Sequence, residues 1–138
     1  MSIHAGLNRL LVSDASIAAV ITARCYPIQL PQNPTLPAVT YFAVSGDRLK
    51  SNSGPQDYGW TRFQIDTWAL SMSAALSLAD LILARLDGYK GSFDDGNSPA
   101  VSTWTIQGAF LAGERDFYES DPKQYRVSRD YMIWFVQN

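Results

Sequence analysis

The sequence holds one cysteine, Cys25, and one histidine, His4, among 138 residues. A single cysteine forms no internal disulfide, which excludes a small secreted fold stapled by its own bridges. A single histidine excludes a multi-histidine metal site. Charge is sparse: 17% of residues are charged and the formal net charge is -2. So weak a field gives no reason to expect binding to nucleic acid or to a membrane surface. No apolar run approaches the ~20 residues that span a bilayer. The first residues lack a basic region followed by an apolar stretch, so no signal peptide is read. These absences lead to the expectation of a protein made in a reducing cytoplasm, or assembled there into something larger.

Catalytic chemistry is missing as well. His4 falls in a helical segment near the N-terminus and reads as an exposed helix residue. Cys25 follows Arg24, which would favour its thiolate, but no histidine accompanies it as a base. Asp94, Asp95 and Asn97 resemble a fragment of a calcium loop, yet the glycine spacing and the closing glutamate are wrong, and a turn is the default. Glu114, Arg115, Asp116 and Glu119 form a charged cluster. Carboxylate-pair hydrolysis is conceivable there, while the alternating signs fit ion pairing better. No phosphate-cradling glycine loop or dinucleotide fingerprint is present. The expectation is no enzyme, no metal and no cofactor.

What the sequence does have is aromatic residues (four Trp, seven Tyr and six Phe) and one well-marked strand–helix unit. From Trp60 the chain alternates. Thr61, Phe63, Ile65, Thr67 and Ala69 share one face, and Trp60, Arg62, Gln64, Asp66, Trp68 and Leu70 the other, which is the period of a strand with one apolar side. Ser71-Met72-Ser73 breaks the pattern and offers an N-cap. Ala75, Leu78, Ala79, Ile82, Leu83 and Leu86 then recur at helical spacing, and Gly88 is a natural left-handed terminator.

Around this unit the chain reads as follows. Ile3, Leu7, Leu10 and Leu11 make a helical stripe within Ser2–Val12, and Asp14 is a plausible cap for a short helix over Ala15–Ile21. Residues 24–37 contain Pro27, Pro31, Pro34 and Pro37, which forbid a helix or central strand and predict an extended surface arm. Ala38–Gly46, Val101–Leu111 and Tyr125–Val136 read as strands. Residues 47–59 and 89–99 read as long loops, and Glu114–Lys123 as a charged link. The expected fold is a single α+β domain over residues 1–138: a mostly antiparallel four-stranded sheet packed on one face by helices, in the order α-β-β-α-β-β.

Two strands carry the same polar signature: Arg62, Gln64 and Asp66 on one, Arg126, Ser128 and Asp130 on the other. Paired antiparallel in register, Arg62 would face Asp130 and Asp66 would face Arg126. A solvated sheet face is one reading of this. A subunit interface is the other, because Trp60, Trp68, Met132 and Trp134 share the face and tryptophan beside arginine is typical of protein contacts. The candidate interface residues are Arg62, Gln64, Asp66, Trp68, Arg126, Asp130 and Trp134.

An ordered series of short signals runs over nearly the whole chain. It comprises the Leu-rich first helix with Asp14, then Arg24, Tyr26 and Pro27, Leu30-Pro31-Gln32, Leu36-Pro37-Ala38-Val39 and Ser45-Gly46. It continues through Arg62-Phe63-Gln64-Ile65-Asp66-Thr67-Trp68-Ala69, the helix ending Leu86-Asp87, Glu114-Arg115-Asp116 with Tyr118-Glu119, and the Arg126–Phe135 strand. In this series the chain resembles the tail-completion or tail-terminator family of long-tailed phages, prophages and gene transfer agents. The resemblance implies a structural virion protein at the tail–neck junction, assembled in the host bacterial cytoplasm. It implies a ring, usually of six copies, that caps the tail tube, with the tail-tube protein and the head or neck connector as partners. The rival expectations are a tail-tube or head-side connector ring subunit, and a monomeric protein-binding module.

Overall fold

The computed structural model describes residues 3–51, 54–94, 103–120 and 123–137. Among these residues, three helices and six strands follow in the order α1 (Ile3–Val12), α2 (Ala15–Ile21), β1 (Cys25–Pro27), β2 (Ala38–Ser51), β3 (Gly54–Ala69), α3 (Met72–Leu86), β4 (Gly91–Asp94), β5 (Thr103–Ser120) and β6 (Lys123–Gln137). The helix boundaries follow local chemistry. Asp14 Oδ1 accepts from the Ser16 and Ile17 amides at 2.9 and 3.2 Å, capping α2, and Ser71 Oγ accepts from the Ala74 amide at 3.1 Å, capping α3. Each satisfies donors that a helix leaves free at its start. At the far end of α3, Gly88 takes φ +79°, a conformation open to glycine. That turn lets its N–H donate to the Ala109 carbonyl at 2.7 Å and ties the helix to β5.

The strands form one sheet in the order β1-β2-β3-β6-β5-β4, with β1 parallel to β2 and every other pair antiparallel. This corrects the expected fold class. The protein is mostly β, a six-stranded mixed sheet curled into a half-barrel with three helices, and not a four-stranded antiparallel sheet packed on one face by helices. The residues behind the difference are specific. Cys25–Pro27, inside the proline-rich arm, adds an edge strand whose backbone bonds need no donor from Pro27. Residues 47–51 and 54–59, read as loop, are the distal halves of β2 and β3. Gly91–Asp94 adds an edge strand in the second supposed loop, and the supposed link from Glu114 is the second half of β5. The Asp95–Asn97 tip and the Asp121-Pro122 turn lie outside the described residues.

A single large core unites the helices with the sheet. Leu7, Leu10 and Leu11 of α1, Ile17 and Ile21 of α2, and Leu78, Ile82 and Leu86 of α3 meet Phe63, Ile65, Trp104, Tyr131 and Ile133. All of these are at most 2% exposed. A smaller cluster, Ala69, Ala75, Ala79 and Val127, lets α3 approach the sheet closely. Gly6 does the same for α1: a Cβ there would collide with the Phe93 ring and lie 2.8 Å from the Trp104 ring. With one side of β3, β5 and β6 turned to this core, Arg62, Gln64 and Trp68 alternate onto the other, outer side.

Candidate interaction surface

On the outer side the structure brings all seven of the expected interface residues together, but not in the expected register. Arg62 stands opposite Met132, Gln64 opposite Asp130, Asp66 opposite Ser128, and Trp68 opposite Arg126. The ion pairs form diagonally instead. Arg62 reaches Asp130 with Nη2 at 2.9 Å and Nε at 3.0 Å, and Arg126 Nη1 lies 3.5 Å from Asp66 Oδ2. Long side chains bridge diagonal neighbours on a twisted antiparallel pair without strain.

Arg115 joins the network from β5. Its Nη2 donates to Asp130 Oδ1 at 3.2 Å, Gln64 Oε1 at 3.3 Å and Ser128 Oγ at 3.4 Å. Gln64 in turn donates from Nε2 to Asp66 Oδ1 at 3.1 Å. Asp66 and Asp130 are only 3% and 4% exposed, which is tolerable because Asp66 has an arginine and an amide partner and Asp130 has two arginines. The carboxylates are thus sealed beneath their partners, and the arginine heads form the surface that a neighbour would meet.

Aromatic rings fix one of those heads. The Arg126 guanidinium lies 5.0 Å from the Trp68 ring centroid and 4.3 Å from that of Phe117, both within cation–π range. Trp68 is held in turn by its indole N–H, which donates to Thr40 Oγ1 at 2.9 Å. Trp60 and Trp134 pack at 6.2 Å farther along the same side. Phe110, opposite Met132, is 47% exposed. Arm residues Ile28 to Pro34 lie over one flank and, with Phe42, Gln64, Trp68, Gln124 and Arg126, bound a cleft of about 400 Å³. The arm and the sheet face are therefore walls of one groove.

Arg115, Phe117 and Thr40 belong to this surface and were missed by the sequence reading. Arg115 and Phe117 do alternate at strand period, but their acidic neighbours make the segment read as a charged link. Elsewhere the cluster resolves into ion pairing: Glu114 Oε2 lies 3.0 Å from Arg129 Nε, and Arg129 Nη1 donates to Asp80 Oδ1 at 3.1 Å. Asp94 pairs with Arg9 at 3.8 Å. His4 is not an exposed helix residue; it is half-buried, edge-on to Phe63 with ring centroids 5.1 Å apart, and desolvation lowers its pKa. Cys25 is buried, and desolvation pushes its thiol up to about 12, the opposite of an activated nucleophile. The Arg24 guanidinium that was to activate it donates instead to the carbonyls of Val20 and Pro37. Among the described residues no group of three or more His, Cys, Asp or Glu side chains is placed to hold a metal ion. No described helix is long and apolar enough to cross a membrane.

The family model of the tail completion protein gp17 matches residues 5–136, nearly the full chain. The chain belongs to the tail completion protein gp17 family. Membership makes it a structural protein of the phage tail, and hence of the virion. The fold has a solved counterpart in a chain of the native gene transfer agent virion particle. That chain is similar with a TM-score of 0.68 at 15% identity, over 94% of this tail completion protein and 90% of its own length. No curated protein matches the sequence.

Proposed function

We propose that this tail completion protein caps the growing tail tube as a homo-oligomeric ring, of six copies by its family resemblance, and offers the surface to which the head or neck connector joins. The observation that carries this is the outer side of the sheet. Arg62, Arg115 and Arg126 are clamped on buried carboxylates among Trp60, Trp68, Trp134, Phe110 and Phe117, the arginine and aromatic composition of a contact surface. A ring needs two different patches that match. The groove between the arm and the sheet supplies one, and the second lies elsewhere on the subunit.

The test is light scattering on a sizing column over a hundredfold concentration range, with negative-stain images, repeated after adding purified tail tubes. Rings of fixed copy number, free or on tube ends, are the expected result. Self-assembly into long tubes would favour a tube subunit. A monomer that ignores tail tubes would overturn the ring reading. Replacing Arg62 and Arg126 together by Gln removes the charge while keeping a donor to each carboxylate. If that variant assembles and joins tails like the natural chain, the outer side is not the interface.

A further inference from the structure

Among the described residues, each of the two long hairpins is covered along its outer edge only near its root. Beside β2, β1 pairs with Val39–Tyr41, and the Ile28 N–H donates to the Tyr41 carbonyl at 2.9 Å. From Phe42 to Ser51 no described strand lies alongside. Beside β5, β4 pairs with Thr103–Ile106, the Ala109 carbonyl accepts from Gly88, and the Leu111 N–H donates to Asp87 Oδ1 at 3.1 Å. From Ala112 to Ser120 no described segment pairs with that edge. A bare strand edge is a row of open donors and acceptors that another strand can use. Exposed apolar side chains stand on both bare halves: Val44 is 48% exposed on β2, and Phe117 38% and Tyr118 51% on β5.

The topology makes the two edges complementary. Since β2, β3, β6 and β5 alternate in direction, β2 and β5 run oppositely. Carrying a copy sideways along the sheet therefore brings β5 of one antiparallel to β2 of the next. The bare halves also lie toward opposite ends. That of β2 centres on Gly46, opposite Thr61; that of β5 centres on Asp116, opposite Val127, which stands opposite Thr67. From Thr61 to Thr67 the step along β3 spans roughly 20 Å at ~3.3 Å per residue.

We propose that the bare edge of β5 in one copy pairs antiparallel with the bare edge of β2 in a second copy, staggered by about 20 Å along the strands. The sheet then continues from copy to copy with the tilt and stagger that let sheets close on themselves. The proposal rests on the ring reading and adds to it a strand-to-strand contact between neighbouring copies.

The Leu111 N–H points off the sheet, and the register shift between Leu111 and Gly113 with two-residue alternation turns the amides of Glu114, Asp116 and Tyr118 outward as well. Asp116→Pro removes one outward donor at an edge position where proline is tolerated, while Asp116→Ala keeps it. The expected result is that D116P keeps its circular dichroism and melting profile but loses ring formation on tail tubes at least tenfold, whereas D116A assembles normally. In parallel, a cysteine at Ala43, which shares the core-side face with Glu114, Asp116 and Tyr118, is combined with one at each of those three positions, and assembled rings are oxidised. At least one combination is expected to give a ladder of linked chains, whether or not D116P folds. Normal assembly of D116P, or rings that no combination cross-links, would overturn the inference and leave the ring reading standing. Failure of the natural chain to assemble on tubes would overturn both.

Discussion

Arg62 stands opposite Met132, yet its guanidinium closes on Asp130, the residue opposite Gln64. That diagonal leaves room for Arg115 to reach the second oxygen of the same carboxylate at 3.2 Å. Asp130 is thus held twice, and Asp66 by one arginine.

The two carboxylates should therefore respond differently to loss of a partner. Arg62→Met leaves Asp130 on Arg115 and should cost no more than about 1 kcal/mol, since the arginine is partly solvated. Combining it with Arg115→Met strands a buried carboxylate and should cost about 3 kcal/mol, more than the single changes added together. Urea unfolding of the two single variants and the double variant measures this; simple additivity would contradict the shared-anchor geometry.

Arg129 predicts the reverse. Its own side chain is 10% exposed, but its partners Asp80 and Glu114 are 67% and 57% exposed. Arg129→Met returns both carboxylates to water and keeps an apolar stem in the core. It should change stability by less than about 1 kcal/mol. A loss of several kcal/mol in chemical denaturation would mean that the arginine itself holds the strands together.

At Gly6 two effects compete. Alanine gains about 1 kcal/mol of helix propensity over glycine, but its methyl meets Phe93 and the fully buried Trp104. Overpacking of this kind costs about 1–3 kcal/mol, and Trp104 has no room to retreat. Gly6→Ala should lower the melting temperature by several degrees, and tryptophan fluorescence should report the displaced indole.

His4 gives the protein a pH dependence. Burial lowers its folded-state pKa below the ordinary 6.5, so the unfolded chain takes up the proton first as pH falls. The stability tied to neutral His4 is complete above that value and declines as pH drops below it. Urea midpoints between pH 8 and 5.5 should fall for the natural chain, and His4→Phe should flatten the slope.

Much of the core was legible in the sequence because burial writes a pattern there. Phe63, Ile65 and Thr67 alternate, Ala75 to Leu86 recur at helical spacing, and Asp14 and Ser71 announce the helices they cap. The distal halves of the hairpins were not legible. Residues 47–51, 54–59 and 113–120 are strand through backbone pairing, and their sequence shows no apolar alternation. Hydrophobic periodicity records which face is buried rather than whether a strand exists. The diagonal ion pairs were hidden for a related reason: register follows the whole set of core contacts, and Arg62 and Asp130 do not specify it alone.

The clamped arginines bear on how a partner is received. Immobilising a long side chain costs up to about 2 kcal/mol of rotamer entropy, and Arg62, Arg115 and Arg126 lose much of that freedom on folding, held by Asp130, Asp66 and the Trp68 and Phe117 rings. A docking surface then presents donors already frozen in place, so less freedom remains to be lost on contact. Such a surface discriminates by fit: a partner whose acceptors match the fixed spacing gains the full contact, and one displaced by a single residue finds heads that do not swing to meet it.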